Sequence, residues 1–402
     1  MSKVVELGAL PEWDLSDLYP GMNSQELSRD LEEIGTAVTT FSNHYKGKIS
    51  ALTGDALAKA IITYEKIDET LSRIGSYASL VHAGNVSDPE IGRFYQTTNE
   101  QVNEISTTLL FFCLEVNRIE DDALEEMLQS AALQRYQPWL RDLRAFRPHQ
   151  LDDKLEELLH EKSITGRSSW IRLFDQTIAE MRFPYRGRNL TETEILDLLS
   201  DPQTKVRKEA AECFGRVLGD NIKTFSLITN TLAKDKEIEN RWRRFERPIS
   251  SRNLANFVED EVVDALLDSV SKSYPSLSHR YYKLKARWFG ADTLNYWDRN
   301  APLPDEDNRT IEWEEARETV LGAYGKFSPA LADVGQRFFD NAWIDAPVRP
   351  GKASGAFAHP TVPSAHPYLL VNYQGKVRDV MTLAHELGHG VHQVLSAGQG
   401  HL

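Results

Sequence analysis

Two cysteines in 402 residues, Cys113 and Cys213, are too few and too far apart for a disulfide framework, a zinc knuckle or a redox pair. Both stand in apolar helical surroundings and are expected to be buried thiols. Positive charge is short as well: 46 lysines and arginines face 60 aspartates and glutamates, a net charge of -14. That balance argues against nucleic acid or anionic lipid as the main partner, because both require cations facing phosphates. The one basic aromatic segment, Arg241 to Arg247, follows "KDKEIEN" and reads as a solvated helix end. Long apolar runs are missing; Leu109 to Cys113 is the strongest, far short of the roughly 20 residues that span a bilayer. The opening "MSKVVELGALPEWDLSDLYPG" has acids and a proline where a secretory leader needs an apolar core, so a cytoplasmic protein with no membrane partner is expected. Also missing are a P-loop, a dinucleotide glycine fingerprint, a serine nucleophile elbow, a fixed-period repeat and a low-complexity tract.

What is present suits a globular chain. Hydrophobic residues make up 41% and charged residues 26%, and the length allows two or three domains or one large helical body. Leu27, Leu31, Ile34, Val38, Phe41 and Tyr45 step by three and four, as do Leu57, Ile61, Tyr64, Leu71 and Ile74. Asn23 with Glu26 resembles a capping box, and Asp88 before Pro89 supplies a cap and a first-turn proline. A third helix is expected from Pro89 to Val116, with Ile91, Phe94, Val102, Ile105 and Leu109 along it, so the first part reads as a helical bundle.

The extended piece "MRFPYRGRN" interrupts this pattern, and Thr191 with Glu194 opens the next helix with a second capping box. Asp201 and Pro202 start another. The expected organisation is an N-terminal helical domain over 1–185 and a second domain over 186–402. Within the latter, Trp343 to Tyr373 is rich in proline and glycine and reads as turns and short strands. Helical periodicity resumes at Asp379, a cap for the segment "DVMTLAHELGHGVHQVL".

That segment contains H-E-x-x-H. Residues four apart on a helix share a face, so His385 and His389 can offer two imidazole nitrogens to one tetrahedral ion. Glu386 is turned about the axis to flank the ion, where its carboxylate can take a proton from a metal-bound water. A chance match in a chain of this composition has an expected count of roughly 0.05. Val380, Leu383, Leu387 and Val391 form an apolar stripe that would bury the opposite side. Gly388 and Gly390 cost about 1 kcal/mol each against alanine and suggest close approach by a backbone or a substrate.

"GKASGAF…HPYLLVNYQGKVRDVMTLAHELGHGVH" resembles the active-site region of oligoendopeptidase F, in the thimet oligopeptidase group of zinc peptidases. The similarity extends to "WDLSDLY", "FPYRGRNLTETEI" and "LNYWDRNAPLP", nearly the whole chain. The resemblance implies a mainly α fold: a multi-helix, two-lobed ellipsoid with a substrate channel and a small β-sheet next to the zinc helix. It implies His385 and His389 as zinc ligands, Glu386 as general base, and Gly355, Ala356 and Phe357 on a strand edge that pairs with the backbone of short peptide substrates.

One departure stands out. A catalytic zinc of this kind takes three protein ligands plus water, and the family's third is a glutamate on the next helix; no acid follows Glu386 here. His392 is about 10.5 Å along the axis from His385, too far to share the ion, and reads as a surface residue. Nothing fixes His401 on its glycine-rich tail. The 402 residues therefore read as a C-terminally truncated peptidase, 186–402 being the first portion of its catalytic domain, with weak or absent zinc, little activity by itself and an exposed apolar face through which it can self-associate. The rival reading is a catalytically dead helical peptide-binding or scaffold protein. His359 and His366 read as turn packing, Tyr368 and Tyr373 as half-buried strand aromatics, and Asp298 and Asp345 as turn formers.

Overall fold

The computed structural model describes residues 7–304 and 309–402; residues 1–6 of the opening segment lie outside it. The chain is mainly helical. In the first part, α1 (Gln25–Tyr45) and α2 (Gly54–Gly84) carry the expected stripes, with Leu27, Ile34, Val38, Phe41, Leu57, Ile61, Leu71 and Ile74 buried between neighbouring helices. The cap of α1 is Ser24, one residue after the expected Asn23, and its hydroxyl accepts from the Leu27 N–H. Asp88 caps α3 (Pro89–Leu109) as expected, its Oδ1 accepting from the amides of Glu90 and Ile91.

The third helix does not run on to Val116. It breaks at Leu110, and α4 (Phe111–Arg118) starts afresh so that Phe111 and Phe112 can turn into the core around Phe41. Cys113 on α4 is half-buried rather than buried and lies 3.4 Å from the Tyr64 hydroxyl, while Cys213 is buried; both thiols are free. Burial pushes the Cys113 thiol up to about 11.

Two compact units divide the chain differently from the expected boundary at residue 185. One joins residues 1–172 to 310–402; the other is 173–309. The physical reason is the hairpin β1 (Phe183–Tyr185) and β2 (Arg188–Leu190), which the sequence placed at the boundary. Its Phe183 and Leu190 pack with Ile195, Ala210 and Cys213 in a core of their own. The capping box of Thr191 and Glu194 forms as expected. The next helix, Thr204–Asp220, starts two residues after Pro202, and Asp201 instead accepts from the Gln203 N–H in the preceding turn.

In this second unit the helix Asp260–Ser273 buries none of its residues and exposes Val262, Leu266, Leu267 and Val270. Two arginines of the basic segment pair with acids one turn back, Arg241 with Glu237 and Arg243 with Glu239, and Arg247 pairs with Asp264 of the next helix. No helix among the described residues is long and apolar enough to cross a membrane.

The first unit holds three strands, β3 (Ile344–Pro347), β4 (Phe357–His359) and β5 (Tyr368–Tyr373), in the order β3-β5-β4. β5 is central, parallel to β3 and antiparallel to β4, so β4 forms one edge. Five of the six β5 residues are buried, so Tyr368 to Val371 is an unbroken apolar run where alternating apolar positions were expected. Leu369 and Val371 share a core with Leu383, Leu387 and Val391 of the helix Val377–Ser396, hereafter the signature helix.

Burial biases three histidines of this unit toward the neutral form. His82 is buried against the Tyr95 ring at 4.3 Å with its Nε2 unpartnered, and burial and then Arg172 lower its pKa. Burial also lowers His160, whose Nε2 lies 2.8 Å from the Ser106 hydroxyl, and His359. Groups with folded pKa values below the ordinary 6.5 contribute stability that is full above that value and lost as pH falls through it toward the folded values. Urea unfolding midpoints should therefore drop between about pH 7 and pH 5, with a shallower slope in His82→Phe.

Candidate active site

The signature helix begins two residues before the expected cap. Asp379 lies inside its first turn, and its Oδ2 accepts from the amides of Gln374 (2.9 Å) and Lys376 (3.0 Å), tying β5 to the helix start. Gly375 makes this turn: its φ is +82°, and a Cβ there would stand 2.6 Å from Leu7 Cδ2 and 2.7 Å from Thr310 Cγ2.

One face of the helix is buried through Val380, Leu383, Leu387, Gly390 and Val391. The protein atoms that approach its glycines most tightly are side chains, where another backbone was one expectation. A Cβ at Gly390 would lie 2.7 Å from Phe338 Cζ and 2.8 Å from Cε1, and Phe338 is fully buried. At Gly388 the neighbour is the Tyr324 hydroxyl at 3.2 Å, which donates to the Ala384 carbonyl at 2.5 Å. Gly390→Ala should therefore destabilise by about 1–3 kcal/mol through overpacking, although alanine is the better helix former. Gly215 lies in a helix with no atom within 4 Å of a Cβ, and Gly215→Ala should gain about 0.5–1 kcal/mol. Paired thermal melts check the opposite signs.

His385 and His389 stand together on the opposite, exposed face. Their Nε2 atoms are 3.1 Å apart and their rings are nearly perpendicular, at 88°. Two nitrogens about 2.1 Å from one tetrahedral ion stand about 3.4 Å apart, so the pair already has close to a ligand spacing. Glu386 is half-buried between them in sequence. His392 is exposed one turn further on. Among the described residues no third histidine, cysteine, aspartate or glutamate joins a metal-sized cluster.

Of the expected substrate-edge residues, only Phe357 lies on β4; Gly355 and Ala356 form the lead into it. Gly355 is exposed with φ +79°. The Gln393 side chain of the signature helix donates to the Ala358 carbonyl at 3.4 Å, so β4 lies against that helix.

Other residues behave as packing groups. His359 Nδ1 accepts from the Thr361 N–H at 3.0 Å, and His366 stacks on Trp343 with its Nε2 2.9 Å from Asp17 Oδ2. Tyr368 and Tyr373 are fully buried rather than half-buried, their hydroxyls donating to the carbonyls of Asp14 and Ile311. His401, expected to be unfixed, pairs with Asp68 at 2.9 Å while its amide donates to Glu65, and the Asp68 bond raises its pKa.

Asp298 and Asp345 differ further from the expected turn formers. Each is a buried charge, not a simple turn former. Asp298 accepts from Arg207 at 2.6 Å, both side chains enclosed. Asp345 takes two parallel bonds of 2.8 Å from Arg349 and one ion pair of 2.6 Å from the fully buried Lys352. Burial pulls Lys352 down to about 8 against the attraction of Asp345. Sequence reasoning passed over Lys352, Arg349, Asn372, Tyr324 and Phe338; the only signal for Lys352 was its place in the glycine-flanked "GKASG".

The model of peptidase family M3 matches residues 197–400, half of the chain, and that described as Oligopeptidase F matches 115–183. The chain belongs to peptidase family M3. Oligopeptidase PepF of Bacillus subtilis (strain 168) is 27% identical over 403 residues, covering 96% of this chain and 58% of its own length. Group B oligopeptidase PepB of Streptococcus agalactiae serotype III (strain NEM316) is 26% identical over 400 residues, covering 96% and 64%. This M3 chain thus spans about three-fifths of these curated relatives. A solved structure of an oligoendopeptidase F candidate from Bacillus anthracis str. Ames superimposes with a TM-score of 0.74 at 17% identity, over 91% of this chain and 65% of that one, which establishes the shared fold.

Proposed function

We propose that this chain carries the metal helix of a zinc endopeptidase acting on oligopeptides in the cytoplasm. The observation that carries the proposal is the 3.1 Å separation of His385 Nε2 and His389 Nε2 on an exposed helix face, with Glu386 between them in sequence. His385 and His389 would hold the ion. Zinc bound there supplies Lewis acidity, bringing the pKa of a water toward neutrality and polarising a peptide carbonyl.

Glu386 does the proton work in this reading. Its carboxylate takes the proton released when water attacks the carbonyl and delivers it to the departing amide nitrogen. Gly355, Ala356 and Phe357 hold the substrate backbone by strand addition, which favours short extended peptides over folded proteins. Family membership and the oligopeptidase relatives support this assignment. A catalytic zinc of this kind takes three protein ligands, and His385 and His389 are two of them; on this reading the chain alone binds zinc weakly and cleaves little.

The test uses the chain at its relatives' full length with a quenched fluorescent oligopeptide. Cleavage should be abolished by a chelator and restored by zinc. Chelator-resistant cleavage, or none under any metal condition, contradicts the proposal; in the second case the scaffold reading takes over.

A further inference from the structure

Gly355 has open space around it and no side chain to hold it, yet the segment leading into β4 is bound from several sides. At its start the Lys352 ammonium anchors to β3 and β5, donating to the carbonyls of Asp345 (3.1 Å), Pro347 (2.9 Å) and Val371 (2.6 Å) in addition to its ion pair with the Asp345 carboxylate. Asn372, on β5, uses its Nδ2 twice, donating to the carbonyls of Ala353 at 3.0 Å and Gly355 at 2.9 Å. The end of α2 closes the back: the Val86 amide donates to Gly351 and the Ala353 amide to Ala83. Gly351 is required there, since its φ is +84° and a Cβ would stand 2.2 Å from Asn85 Oδ1.

We propose that Lys352 and Asn372 are positioning residues for the peptide substrate, fixing the backbone from Ala353 to Phe357 as a preformed pairing edge. The inference rests on the reading of that edge as the substrate-binding strand. The C=O and N–H of a trans peptide point in opposite directions. Carbonyls of Ala353 and Gly355 committed to Asn372 therefore turn the N–H groups of Ser354 and Ala356 away from it, as donors for carbonyls of an extended peptide. Lys352 holds the opposite end of the same loop to β3 and β5, so the segment meets substrate with its conformational entropy already lost. Gln393 then relates this edge to the helix that carries His385, Glu386 and His389.

The experiment uses the 402-residue chain with chelator present, so that no peptide is cut. Two fluorescein-labelled peptides of one sequence serve as probes, one plain and one N-methylated at alternate amides, which blocks strand pairing. Anisotropy gives affinity, and hydrogen exchange reads the amides of 353–357 against those of β3 and β5. The wild type should bind the plain peptide only. Asn372→Ala should bind it about tenfold more weakly, the equivalent of one lost bond of orientation, with faster exchange confined to 353–357 and an unchanged melting temperature. Lys352→Met should show the same two effects beside a lower melting temperature. Unchanged exchange at 353–357 in both variants, or faster exchange with unchanged affinity, overturns the positioning role. Wild-type binding of both peptides, or of neither, overturns the pairing-edge reading itself and the positioning role with it.

Discussion

Glu386→Gln, in a chain of the relatives' full length, is expected to lower peptide cleavage by about a hundredfold to ten-thousandfold, the usual contribution of a positioned general base. Zinc content should not change, because Glu386 is not in the ligand pair: the two nitrogens that converge are those of His385 and His389. Glutamine keeps the shape of the side chain and can still hydrogen-bond a water, but it cannot take up a proton. Glu386→Asp keeps the carboxylate and withdraws it by one methylene; a misplacement of about 1 Å can still cost about a hundredfold. The metal readout separates these variants from His389→Ala, which should lose zinc and activity together. Steady-state cleavage beside metal analysis checks all three. Activity retained in Glu386→Gln would remove the proton-transfer role.

Lys352→Met is expected to cost about 3–5 kcal/mol of unfolding free energy, the penalty for breaking a buried ion pair from one side. Asp345 and Lys352 have side chains 1% and 0% exposed. Removing the ammonium leaves the Asp345 carboxylate dependent on the partly exposed Arg349 and strips a donor from three carbonyls. For a unit of this size the loss corresponds to a melting temperature lower by roughly 10 °C. The double variant Asp345→Leu, Lys352→Met should be less destabilised than the sum of the singles, since neither member of the fully buried pair is left without the other, while Arg349 is 30% exposed and has Glu12 at 3.9 Å. Additive losses would mean that the pair is not coupled in the folded chain.

The helices were legible where one periodicity governs many residues. The stripes of α1 and α2 and the i, i+4 histidine pair follow from helix geometry alone, and the Asp88 and Thr191 caps follow from side chains that accept N–H groups locally. The break at Leu110 was hidden because neither glycine nor proline marks it; packing of Phe111 and Phe112 around Phe41 imposes it. The strand order β3-β5-β4 and the joining of residues 310–402 to 1–172 arise from contacts distant in sequence, which leave no local pattern. Lys352 was missed for a related reason. A lysine in a glycine-rich turn is ordinarily solvated, and only a carboxylate seven residues earlier together with three converging carbonyls makes its burial tolerable.

The most direct test of the metal helix is a calorimetric zinc titration of this 402-residue chain beside His385→Ala and His389→Ala. The account predicts one weak site in the wild type, lost in either variant with no change in melting temperature, since both rings are exposed. Equal zinc binding by the wild type and both variants would contradict it.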